Sequence, residues 1–141
     1  MSGPRRIELA DAAATERLGA WLAEQAEPGA VIALSGDLGA GKTTLARGFI
    51  GELLGAGTET PSPTFTLVQT YEAEGFPVYH FDLYRLKQPD EVWELGWEEI
   101  GDGVALIEWP DRAGLHLPRP HVAVHLAFDG TGRVATIALV A

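Results

Sequence analysis

An α/β fold, a three-layer sandwich on a mixed sheet with a parallel core and antiparallel extensions, is predicted by three observations. An apolar run, Ala30-Val31-Ile32-Ala33-Leu34, leads into a glycine-rich turn and then into a helical pattern from Thr44 to Ile50. A second apolar run, Val104 to Ile107, has the length and composition of a strand covered on both faces, as strands of parallel sheets are. Two alternating pairs, Phe65 to Tyr71 with Pro77 to Tyr84 and His121 to Phe128 with Arg133 to Val140, are joined by the turn-formers Glu74-Gly75 and Asp129-Gly130-Thr131-Gly132 and read as antiparallel hairpins.

The remaining elements follow in chain order. Arg5 to Leu9 reads as a short strand, and Asp11 can cap a helix to about Ala26 whose apolar stripe includes Ala14, Leu18, Trp21 and Leu22. Pro28-Gly29 ends that helix, and the helix after the glycine-rich turn buries Leu45, Phe49 and Leu53 before stopping near Gly55. The stretch Gly57 to Pro63 is rich in turn-formers and predicts a loop, while Pro89-Asp90 starts a helix over Glu91 to Leu95. Trp93, Trp97 and Ile100 keep helical spacing amid Asp90, Glu91, Glu94, Glu98 and Glu99, though Gly96 weakens a continuous helix, and the pattern predicts a core stripe under an acidic face or, alternatively, a docking surface.

Composition bounds what such a fold can do. With 141 residues and 46% hydrophobic content the chain can bury one core, so a single domain over residues 1–141 is expected. No stretch has the length of a membrane span and the N-terminus lacks an apolar signal core, which together predict a cytoplasmic protein. The absence of cysteine excludes disulfides, thiolate chemistry and cysteine-ligated zinc. A net charge of −10 disfavours direct nucleic-acid binding, which rests on Lys and Arg displacing counterions, and points to a basic protein partner instead.

The turn itself carries the first chemistry. Gly36 to Thr43 reads GDLGAGKT and fits the phosphate-loop pattern G-x-x-x-x-G-K-[S/T] between strand and helix. Glycines let backbone N–H groups curl around an anion, the new helix presents unpaired N–H groups, and Lys42 adds a full charge. Basic positions here are nearly all Arg, with Lys42 one of two lysines, in keeping with a loop that needs a compact point charge. Gly36, Asp37, Leu38, Gly39, Ala40, Gly41, Lys42, Thr43 and Thr44 are thus candidates for holding nucleotide phosphates, with Thr43 on Mg²⁺.

Three further constellations extend the site. Ser62-Pro63-Thr64-Phe65 is either an ordinary proline turn or a segment placing Thr64 to sense a γ-phosphate. Alternation over Tyr79 to Arg85 puts His80, Asp82 and Tyr84 on one face, either a solvated strand face or one on which Asp82 orients water, braced by His80 and Tyr84. Glu108 ends the run Val104 to Ile107, where phosphate-loop proteins bring an acidic group to Mg²⁺ or to an activated water. Trp109 is either a core aromatic or a cover over the nucleotide.

Four blocks, GDLGAGKTTLARGF at Gly36 to Phe49, SPTFTLV at Ser62 to Val68, YHFDLYRL at Tyr79 to Leu86 and LIEWPDR at Leu106 to Arg112, resemble the bacterial TsaE family, formerly YjeE, in family order. Members are phosphate-loop ATPases required for threonylcarbamoyladenosine (t6A) modification of tRNA. The resemblance implies a P-loop NTPase-like fold, ATP and Mg²⁺ as cofactors, Lys42 on phosphates, Thr43 and Glu108 on the metal, Thr64 in a nucleotide-sensitive switch and Asp82 acting in hydrolysis. It also implies that Asp11-Ala12 and Gly132-Arg133 approach adenine and ribose, and Trp109 matches a motif tryptophan. Family members act with the TsaD and TsaB proteins, so the implied partners are those, with tRNA reached only indirectly through the complex. A small metabolite kinase would need an acceptor pocket and a basic lid for which this chain offers little room. A GTPase would carry N-K-x-D, and the chain has no Asn. A nonhydrolysing ATP-dependent adaptor would bind identically and lack turnover.

Overall fold

In the computed structural model, which describes residues 4–55, 57–60, 63 and 66–141, the run after Ala30 is a central strand. The strands are β1 (Arg5–Leu9), β2 (Val31–Gly36), β3 (Val68–Ala73), β4 (Phe76–Asp82), β5 (Val104–Glu108), β6 (His121–Asp129) and β7 (Gly132–Val140), and the α-helices are α1 (Ala12–Gln25) and α2 (Lys42–Leu54). Among the described residues the strands form one sheet in the order β1-β7-β6-β2-β5-β4-β3. Neighbours β6, β2, β5 and β4 run parallel, and β1, β7 and β3 add antiparallel edges. The mixed sheet with a parallel core is the predicted architecture.

Alternation along the parallel strands divides the apolar residues between two cores. Ile32, Leu34, Val104, Leu106, Val124 and Leu126 face α1 and α2, where Leu18, Leu22, Leu45, Phe49 and Ile50 meet them. Val31, Ala105, Ile107, Tyr79 and Phe81 point the other way, onto Leu83, Leu86, Val92, Trp97 and Ala113. A fully buried Leu, Ile or Phe contributes about 1.5–3 kcal/mol, so strands covered on both faces anchor the fold. The second layer consists of three short 3₁₀ helices, Pro89–Leu95, Trp97–Asp102 and Pro110–His116. The indole of Trp97 donates to the His116 carbonyl at 2.9 Å and ties two of them together.

Close packing of α1 on α2 depends on two missing side chains. A Cβ on Gly19 would meet the Leu45 carbonyl oxygen at 2.1 Å, and one on Gly48 would meet that of Glu16 at 2.0 Å. The helices therefore touch backbone to backbone. Asp11 caps α1 as expected, accepting from the Ala14 N–H at 2.8 Å.

Several elements depart from the expectation. Strand β3 starts at Val68, because Leu67 adopts φ 69°, a left-handed backbone that interrupts extended structure; Phe65 lies outside the described residues. Strand β4 stops at Asp82, whose carboxylate accepts from the Tyr84 N–H at 3.0 Å and turns the chain. The helix over Glu91 to Leu95 is a 3₁₀ helix, and Gly96 at φ 78° separates it from the next, so the Trp93, Trp97, Ile100 stripe is broken. Trp97 and Ile100 are buried while Trp93 is 48% exposed. Trp21, placed in the core stripe of α1, is 40% exposed with the Arg5 guanidinium 5.9 Å over its ring. No helix among the described residues is long and apolar enough to cross a membrane.

Candidate functional site

The site begins where β2 ends. Gly36 takes φ 144°, and a Cβ there would lie 2.4 Å from the Leu126 carbonyl oxygen of the neighbouring strand, so only glycine passes. Gly39 and Gly41 follow at φ 81° and 109°, and α2 starts at Lys42 with no side chain capping its N-terminus. Its first turn therefore offers backbone N–H groups and the positive end of the helix dipole to an anion. The helix starts two residues earlier than expected and takes Lys42 and Thr43 into that turn.

Lys42 is buried at 6% exposure. Its ammonium donates to the Gly36 carbonyl and, at 3.1 Å, to that of Asp37, and it sits 4.4 Å over the Trp109 ring. Burial pushes its pKa below the usual lysine value, against the opposing pull of the Glu108, Asp82 and Asp37 carboxylates. The cation is thus folded into the loop and electrically balanced by acids around it.

Those acids arrive by strand register. Asp82 and Glu108 are Cα partners at the C-terminal ends of the parallel strands β4 and β5, and Glu108 in turn pairs with Leu34 of β2. Both carboxylates are buried, at 6% and 5% exposure. Together with Leu38, Gly39, Gly41, Lys42, Thr43, Thr44 and Trp109 they line one cleft of about 250 Å³. The His80 imidazole Nε2 donates to Glu108 Oε2 at 2.6 Å. This corrects the expected brace, because His80 was expected to steady Asp82 together with Tyr84. Tyr84 serves Asp82 only through its backbone N–H; its ring lies beyond the strand, 41% exposed and 4.8 Å from that of Trp109.

Trp109 takes φ 57°, a conformation costly for a bulky residue and most often retained at functional sites. The indole packs partly on the second core, as a core aromatic would, and its other side lines the cleft.

A second recess of about 180 Å³ shares Gly39, Gly41 and Thr44 with the cleft and is completed by Leu9, Asp11, Ala12, Thr15, Thr131, Gly132 and Arg133. The Arg133 guanidinium donates to the Gly39 carbonyl at 3.1 Å and lies 4.4 Å from the Phe128 ring centre, tying the β6–β7 hairpin to the loop. Asp37 is exposed and Ala40 is buried within the loop. Sequence reasoning missed Thr15 and Thr131; the signal for Thr15 was its place one helical turn beyond the cap Asp11. Thr64 lies outside the described residues. A larger depression of about 890 Å³ lies between α1, α2, Gly55 and the residues from Gly57 to Thr60, but neither Gly36, Gly39, Gly41, Lys42 nor the paired carboxylates line it, so size does not mark the site here.

Fold and site define an α/β protein in which a strand, a glycine loop and an uncapped helix N-terminus face two buried carboxylates. The family model described as Threonylcarbamoyl adenosine biosynthesis protein TsaE matches residues 9–135, and the chain belongs to the TsaE family. It is 45% identical over 125 residues to the tRNA threonylcarbamoyladenosine biosynthesis protein TsaE of Rickettsia conorii, spanning 87% of this chain and 71% of that protein. The TsaE protein of Nostoc sp. is 44% identical over 133 residues, 90% of this chain and 80% of the relative. The crystal structure of Bacillus subtilis YdiB superposes with a TM-score of 0.79 at 30% identity, covering all (100%) of this chain and 88% of that one.

Proposed function

We propose that this chain is a Mg²⁺-dependent ATPase that supports t6A modification of tRNA in the cytoplasm by acting with the TsaB and TsaD proteins. The observation that carries the reading is the convergence, in one cleft, of Lys42 and Thr43 on an uncapped helix N-terminus with Asp82 and Glu108. Family membership supplies the pathway.

The donor set fits a hard cation. Among the described residues no three His, Cys, Asp or Glu side chains cluster as a metal cage. Mg²⁺ sites on phosphate-loop proteins seldom have one, taking one or two protein oxygens and filling the shell with phosphate oxygens and water. Thr43 and Glu108 would hold it, and the bound ion would neutralise charge developing on the transferred phosphoryl group. Lys42 would exchange its loop carbonyls for phosphate oxygens. Asp82, buried beside Glu108 and held by the Tyr84 N–H, would orient the attacking water and accept its proton. Arg133, Gly132, Asp11 and Ala12 would receive the nucleoside in the adjoining recess, Trp109 would cover the phosphates, and Thr64 would report the γ-phosphate.

Two features favour a partner-dependent cycle over independent action on tRNA. The chain carries a net charge of −10, which repels a polyanion. Leu38, Tyr84 and Phe128, around the mouth of the site, leave 67%, 41% and 52% of their surfaces exposed, apolar area that a protein partner would cover. Phosphate release measured with and without purified TsaB and TsaD tests the proposal. Release should rise well above the sum of the separate activities and should vanish with Lys42→Ala. Equal activity alone and in the mixture refutes partner dependence, ATP binding without turnover in the mixture identifies a nonhydrolysing adaptor, and release that requires a small acceptor identifies a kinase.

A further inference from the structure

Strands β4 and β5 are already paired through their backbones from Val78↔Val104 to Asp82↔Glu108, and both are walled by apolar side chains. Into that dry junction the fold places an imidazole and a carboxylate, His80 and Glu108, with side chains 3% and 6% exposed and 2.6 Å apart. The ring's other nitrogen, Nδ1, is buried and has no hydrogen-bond partner among the described residues. As a fastener the pair is poor: an apolar residue of similar volume would pack there without desolvating a carboxylate or orphaning a nitrogen.

As a positioning device it makes sense. An ionised carboxylate only accepts hydrogen bonds, so Nε2–H is the donor. The bond engages Oε2 and restrains rotation of the carboxylate, whose other oxygen would then serve the cleft that Glu108 shares with Lys42 and Thr43. We infer that His80 is a positioning residue that orients Glu108 for the divalent cation, acting on the metal through the carboxylate and touching neither metal nor nucleotide. The inference rests on the reading of Glu108 as a metal ligand. Hydrogen-bond partners of a ligating group typically change metal affinity by about 10–100-fold when removed.

The test is the Mg²⁺ dependence of binding of a nonhydrolysable ATP analogue, followed by calorimetry in a Mg²⁺ series and in EDTA. His80→Leu removes the donor; His80→Gln puts an amide N–H near the position of Nε2, and His80→Asn puts one near Nδ1, out of reach of Glu108. His80→Leu and His80→Asn should need about tenfold more Mg²⁺ for half-maximal tightening, with binding in EDTA unchanged, while His80→Gln stays close to wild type. Adding His80→Leu to Glu108→Gln should change Mg²⁺ dependence no further. If His80→Leu does not fold, the Gln and Asn pair makes the same comparison. Equal Mg²⁺ dependence of Gln and Asn variants, or a wild-type requirement in the Leu variant, overturns the inference while leaving Glu108 a ligand. A wild-type Mg²⁺ requirement in Glu108→Gln removes the metal role of Glu108 itself, and the role of His80 with it.

Discussion

Two glycines of α2, one turn apart, should respond to the same substitution with opposite sign. Replacing an interior helix glycine by alanine ordinarily stabilises by about 0.5–1 kcal/mol, because alanine has less backbone freedom to lose. Gly51 meets that condition: nothing lies within 4 Å of where its Cβ would stand. Gly48 does not. Its Cβ would be 2.0 Å from the Glu16 carbonyl oxygen, 2.8 Å from the carbonyl carbon and 3.0 Å from the Cα, all backbone atoms of α1 that no rotamer change can move. Carbon contacts are comfortable only at about 3.5–4.0 Å, so α1 and α2 would have to part by more than an ångström, loosening Leu18, Leu22, Leu45 and Phe49 between them.

Overpacking of this kind costs about 1–3 kcal/mol. A rigid backbone contact belongs at the upper end, and subtracting the propensity gain leaves Gly48→Ala less stable by about 2 kcal/mol. Gly51→Ala should be more stable by about 0.5–1 kcal/mol. Urea unfolding followed by circular dichroism measures both, with an unchanged slope indicating that the midpoints report stability. Gly48→Ala unfolding at or above the wild-type midpoint would refute backbone contact between the helices. It would also remove the reason that Asp11, Ala12 and Thr15 on α1 reach the loop.

Lys42→Ala should weaken ATP binding by about 10–150-fold, the loss of charge-assisted bonds worth about 1.5–3 kcal/mol, and unaltered calorimetric affinity in the folded variant would contradict a phosphate role. Asp82→Asn should slow partner-stimulated phosphate release by about 10²-fold or more with little change in nucleotide affinity; unchanged turnover would show that another group positions the water. Tyr79 has its phenol pushed up to about 12, first by burial and then by donating to Asp102. The unfolded chain gives up that proton near pH 10 and the folded chain only near 12, so this contribution to stability is complete below the first value and is lost as pH rises through the window. Tyr79→Phe should therefore lose less stability than wild type between about pH 10 and about pH 12, and parallel declines in urea midpoint would show that Tyr79 is not the titrating group.

The elements easiest to read in the sequence were those whose periodicity and punctuation agree. The paired runs around Asp129 to Gly132 form the β6–β7 hairpin, and the run Val104 to Ile107 is a strand buried at every position. The second layer was harder, since 3₁₀ helices have three residues per turn and eclipse their side chains, and neither of the usual periods describes them. Pro110–His116 carries no readable period for that reason, and the helical spacing of Trp93 and Trp97 does not put them on one face because Gly96 resets the chain between them. The cleft was legible as separate motifs. What no motif carries is the diagonal contact from His80 to Glu108, 28 positions apart, because it arises from pairing between strands.

That pairing explains why the site belongs to the sheet as much as to the loop. Strands β2, β5 and β4 run in one direction, so the C-terminal residues of all three lie along one edge, where open α/β sheets present their ligand sites. The loop leaves from β2, and β5 and β4 each end there in a carboxylate. A slip of one residue in β4 would turn Asp82 and His80 onto the opposite face, among Trp97, Leu83 and Ile100, and bring Phe81 toward Lys42. The buried ammonium would lose one of the three carboxylates that balance it, and Glu108 would lose its donor. The register from Val78↔Val104 to Asp82↔Glu108 is thus held from both sides: apolar residues demand it on one face of the sheet, and the charge balance around Lys42 demands it on the other.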